Sequence, residues 1–152
     1  MLAAVLSRSV VRRVCSRGFS NYDSRLYLCE EHNVVLSRSI SPEQRVIFTL
    51  GMTQAQFERL GVQFVDCVPL NARLQGGIQP STFAYVEGSN GSAQLKVPAP
   101  VEGEVIAVNA MVVSQPGSAV MPPGFLVQVD AGEADEEASR EFEEWTLEHR
   151  ML

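Results

Sequence analysis

Residues 23–152 predict a mainly β domain, a small sandwich or flattened barrel with a short internal helix and an amphipathic helix at its C-terminal end. Three observations carry that expectation. Short apolar runs recur at close, regular intervals, each bounded by turn formers such as Gly, Pro, Ser and Asn. The apolar spacing becomes helical over residues 53–60 and again in the tail from about residue 133. No apolar run is long enough to cross a bilayer as a helix, and 45% hydrophobic with 20% charged residues suits one globular domain with a modest core.

In chain order, "RLYLCEEHNVVLSRS" and "QRVIFTLG" predict strands on either side of "SISPEQ", where Pro42 suits the early corner of a turn. "TQAQFERLG" predicts a helix over residues 53–60. Thr53 is the expected N-cap, Gln56 its capping-box partner, and Gly61 the residue just past the end. Phe57 and Leu60 share one face of that helix. "VQFVDCVP" predicts a strand stopped by Pro69, and "LNARLQGGIQPS" a loop. "TFAYVE" and "AQLKVPAP" pair as a hairpin across "GSNGS", in which Gly88 and Gly91 permit the positive φ of a tight turn. "GEVIAVNAMVV" and "GFLVQVD" predict two further strands, linked by "SQPGSAVMPPG". In the tail, Ala138, Phe142, Trp145, His149 and Leu152 recur at gaps of three and four and fall on one helix face, with acids clustered in the first turns where the helix dipole favours them.

Charge is divided unevenly along the chain. Four of the 12 basic residues (Arg8, Arg12, Arg13 and Arg17) lie in residues 1–22, which hold no acid; the remaining 8 stand against 18 acids, a net of −10. An acidic body argues against nucleic acid or an anionic membrane as partner. The basic start predicts a mitochondrial transit peptide over residues 1–22, cut near Phe19 and Ser20 at "RGFSN", and so a matrix location. A secretory signal would need an unbroken apolar stretch, which Arg12 and Arg13 interrupt.

The sharper chemical motifs are weak. Cys29 and Cys67 lack metal-site or disulfide spacing and read as small buried hydrophobes, so no metal site is expected. Cys67 has no companion His in a recognisable nucleophile motif. Asn90-Gly91-Ser92 fits a glycosylation sequon, which a matrix chain would not use. No convergent acid, base, nucleophile or metal set predicts an active site.

Three stretches carry a family likeness. "LGMTQAQFERLGVQFVDCVP" (50–69), "APVEGEVIAVN" (99–109) and "PGFLVQV" (123–129) resemble segments of the glycine cleavage system H protein. The likeness runs from about Tyr27 to Leu152. His32 in "EEHNVV" is similar to the His of that family's first strand, with Val34 near the place of its Trp. The turn before "QRVIFTLG" is longer than the family's, and the segment between "NAMVV" and "PGFLV" is shorter.

The resemblance implies a lipoyl-domain-like fold without an active site of its own. It also implies lipoate amide-linked to a lysine at the hairpin tip, which receives an aminomethyl group from glycine decarboxylase and presents it to a folate-dependent transferase. Here the pattern breaks. Counting forward from Val86-Glu87, the lysine's place falls on Asn90; counting back from Pro100-Val101, it falls on Ser92. Neither side chain can form the amide. Lys96, the one lysine of the chain, lies in the same hairpin but where alternation predicts a strand face.

The expectation is therefore a divergent H-protein homologue without lipoate that serves as a protein-interaction module, with glycine cleavage enzymes or another mitochondrial assembly as partners. The alternative is a working carrier with lipoate on Lys96 as a displaced attachment site.

Overall fold

The computed structural model describes residues 25–89 and 94–151. The expected transit peptide therefore lies outside the described residues, as do Asn90, Gly91, Ser92 and Leu152.

The first strands form a meander. β1 (Tyr27–Cys29), β2 (Val34–Ile40) and β3 (Arg45–Gly51) pair antiparallel in sequence order. Pro42 sits in the β2–β3 turn as expected, where the Gln44 amide donates to the Ser41 carbonyl at 2.9 Å. Helix α1 (Gln54–Leu60) follows. The Thr53 hydroxyl accepts from the Gln56 amide at 2.9 Å, and Gly61 adopts the left-handed conformation (φ 59°) beyond the helix end. Gln56 does not close a capping box. Its side chain is buried and accepts from the Arg59 guanidinium instead.

β4 (Val62–Cys67), β6 (Thr82–Gly88) and β7 (Leu95–Pro98) make a three-stranded sheet in the order β4-β6-β7. The larger sheet has seven strands. Beside the first three it holds β8 (Gly103–Val108), β9 (Val127–Glu133) and two short strands, β5 (Arg73–Leu74) and β10 (Arg150–Met151), in the order β10-β1-β2-β3-β9-β8-β5. Every pairing between these strands is antiparallel.

One apolar core joins the inner faces. Leu36, Leu50, Val105 and Val129 come from the large sheet, and Val65, Val86 and Val97 from the small one. This is the flattened β-sandwich expected from the sequence.

Three local expectations are corrected. The strand from Gly103 stops at Val108, and residues 110–113 form a 3-10 turn. Asn109 is the cause: its side chain accepts from the Met111 amide at 3.1 Å and donates to the Ser118 and Phe125 carbonyls, offering the backbone partners that a strand ladder cannot. The loop over residues 70–81 contains β5, held against β8 by the registers Arg73↔Glu104 and Leu74↔Gly103.

The C-terminal helix α2 spans Glu136–Leu147, capped by the Asp135 side chain, and does not run to the end of the chain. β10 leaves it and pairs with β1 through Tyr27↔Met151 and Leu28↔Arg150. The expected face holds nonetheless. Ala138, Phe142 and Trp145 pack against the core, and the His149 ring stacks on Trp145 at 3.7 Å between centroids.

Candidate functional site

The β6–β7 hairpin is held at its turn end by the residue that follows α1. The Ser89 amide donates to the Gly61 carbonyl at 2.8 Å, so the residue that ends α1 also braces the end of β6. Gly88 is the last residue of β6 and lies opposite Val62.

Lys96 lies inside β7, paired with Tyr85, which in turn faces Asp66 of β4. These three residues form one row across the small sheet, on the face away from the core to which Val86 and Val65 turn. Lys96 is exposed on that face, as alternation predicts. The next row holds Phe64 and Glu87, with Gln94 reaching Glu87 at 3.4 Å.

An open groove of about 320 Å³ lies elsewhere, between α2 and the large sheet. It is lined by residues such as Leu36, Phe48, Glu102, Glu141 and Phe142, and none comes from β6 or β7. The Arg38 guanidinium stands over the Phe142 ring at 5.1 Å. Among the described residues the groove's lining holds no serine, threonine, cysteine or histidine.

The cysteines behave differently from one another. Burial pushes the Cys67 thiol up to about 12, and the neighbouring Asp66 charge adds to the effect. Such a group is not a nucleophile at neutral pH. At pH 8.5 the folded protein should carry about a thousandfold less Cys67 thiolate than the unfolded chain, and alkylation mapped by mass should slow accordingly. Cys67 alkylated as fast as a free peptide would overturn this. The linkage runs the same way. The pKa is raised from 9.0 to about 12, so the associated stability is complete below pH 9 and lost as pH rises towards 12.

Cys29 is the other case. It ends β1, and the turn to β2 folds His32 back over it: the His32 amide donates to the Cys29 carbonyl at 3.2 Å, and Nδ1 lies 2.9 Å from the thiol sulfur. Asn33 completes the turn with φ 58°. Burial pushes the Cys29 thiol up, while the His32 and Glu31 amides pull against that shift and the Glu31 charge adds to it. Sequence reading took these residues separately. The signal was Cys-x-x-His across a four-residue turn, followed by an Asn able to take a positive φ.

A two-sheet β-sandwich that carries a hairpin on its small sheet and a C-terminal helix on its large one is a domain of the lipoyl-domain class. The chain belongs to the glycine cleavage H-protein family, whose model matches residues 26–145. Among solved structures it is similar to a glycine cleavage system H protein from Mycobacterium marinum. That likeness has 19% identity and a TM-score of 0.56, covers 73% of this chain and 87% of that one, and shows the fold. No curated protein matches it in sequence.

Proposed function

We propose that this chain is a non-lipoylated H-protein homologue of the mitochondrial matrix, which uses the family's fold as an interaction module for glycine cleavage enzymes or a related assembly. The observation that carries this reading is the position of the one lysine. Lys96 is built into β7 with its neighbours tied into the ladder opposite Tyr85, while Asn90 and Ser92 occupy the two candidate positions of the carrier residue.

A ligase must draw a primary amine into its active site to build the amide. A lysine on a turn can be offered in that way; Lys96, whose flanking residues Leu95 and Val97 both pair with β6, is held to the sheet. The acidic body and basic first 22 residues support a matrix protein that meets other proteins rather than nucleic acid or anionic membrane.

The test is incubation with lipoate, ATP and lipoate ligase, read by intact mass. Wild-type protein should stay unmodified, and Asn90→Lys or Ser92→Lys should gain a lipoyl group if the turn keeps the shape a ligase recognises. Lipoylation of wild type that Lys96→Ala abolishes would establish the rival reading, a carrier with a displaced arm. Protein isolated from mitochondria should start near Ser20 and carry no lipoyl mass. An intact Met1 on matrix protein would remove the transit-peptide reading.

A further inference from the structure

We propose that the β1–β2 turn is a binding site for a thiophilic divalent cation of the zinc class, with Cys29, His32 and Glu31 as its protein ligands. The three ligand atoms lie within 4.8 Å of one another. They come from four consecutive residues of one hydrogen-bonded turn, so they are gathered by local backbone geometry and need no movement of the rest of the fold. The turn amide bond from His32 to the Cys29 carbonyl sets the i, i+3 spacing, and Asn33 at φ 58° returns the chain into β2. A hairpin turn with thiolate and imidazole three residues apart places two soft donors on the same side of the main chain.

The donor chemistry fits a borderline-soft d10 cation better than calcium or magnesium. Those ions take oxygen ligands, whereas a thiolate and an imidazole nitrogen select zinc-like metals. The sulfur and Nδ1 now stand 2.9 Å apart. Bonds of about 2.3 Å to sulfur and 2.0–2.1 Å to nitrogen would separate them by about 3.5 Å across a tetrahedral centre. The His32 side chain is 18% exposed and lies at the surface end of the pair, so the ring is the partner that would move to open that gap.

Cys29 supplies the buried floor of the site, at 1% exposure. Glu31 stands on the solvent side, 79% exposed, with Oε1 4.0 Å from His32 Nδ1, and can close over the ion from above. The cation replaces the thiol proton, which passes to solvent. His32 keeps its proton on Nε2 so that the Nδ1 lone pair is free to bind. Three protein ligands leave one position for water or an exchangeable donor.

This site is independent of the hairpin, and its test does not depend on the lipoylation result. The protein is the full chain with Cys15→Ser and Cys67→Ser, which leaves Cys29 as the one thiol, reduced and stripped of metal. Cobalt(II) is the probe, because a thiolate bound to it gives a near-ultraviolet charge-transfer band that an imidazole or carboxylate alone does not.

The band should saturate at one equivalent and be displaced by zinc. His32→Gln should weaken binding by at least about 100-fold, since even the outer partners of metal ligands are worth roughly 10–100-fold. Glu31→Gln should weaken it less, and Cys29→Ser should abolish the band. Trp145 fluorescence checks that each variant is folded. Absence of the band in the parent protein overturns the site whatever the variants do. So does a band that survives Cys29→Ser, or an affinity unchanged by His32→Gln.

Discussion

Phe142→Ala should lower the stability of the domain by about 3 kcal/mol, the low end of the range for aromatic truncations, because its ring is only partly buried. Phe142 is the centre of the contact between α2 and the large sheet. Its ring meets Tyr27 edge-on at 5.4 Å, Phe48 at 5.9 Å and Trp145 in a stack at 5.7 Å, with the Arg38 guanidinium on it. Removing it strips these contacts and widens the open groove that it lines, because Tyr27 and Phe48 are fixed by their strands and cannot close on the gap.

Trp145→Ala should cost less, about 2–3 kcal/mol, because one of its faces is covered by His149 rather than by the core. Denaturant unfolding gives both values. A Phe142→Ala midpoint equal to wild type would mean that α2 is not docked in solution, and its aromatic face would become the better candidate for a partner surface.

Gly103→Ala should be of similar size, about 3–4 kcal/mol, for a different reason. This glycine opens β8 inside the "PVEGEV" stretch, with φ at 152°. A Cβ there would overlap the Asp130 carbonyl oxygen and stand 2.7 Å from a Val129 methyl, both on the neighbouring strand β9. Relief by shifting β9 disturbs the buried Asp130 side chain, which accepts from Arg45 Nε at 3.2 Å and from the Gly132 amide at 2.9 Å. Gly77→Ala is the control. It has φ 86° but nothing within 4 Å of the added carbon, so only backbone strain of about 1–2 kcal/mol applies. Equal losses in the two variants would show that φ alone, not close approach of the strands, sets the cost at Gly103.

Much of the candidate site could be read before the structure, because its determinants are local. The hairpin strands show themselves by alternation, and that same alternation put Lys96 on an outward face. The Thr53 cap and the Gly61 end of α1 depend on residues within one turn of each other. What was not legible is the bracing at the turn end of the hairpin, since the Ser89 amide meets the Gly61 carbonyl across 28 residues of sequence that carry no signal of the contact.

The sequence by itself determined the mainly β class, the short internal helix, the packed face of the C-terminal helix, the family, and the absence of lysine at Asn90 and Ser92. Each of these follows from spacing, capping or residue identity over short windows, where steric and hydrogen-bonding rules act directly. Only the tertiary structure decided that the last residues leave the helix to pair with β1, that Asn109 ends β8, and that Arg45 meets Asp130 across 85 residues. It alone brought Cys29 and His32 to 2.9 Å. Those choices depend on which edges and side chains remain unsatisfied once the sheets have formed, and a strand edge or buried carboxylate takes whichever partner the completed fold puts within reach.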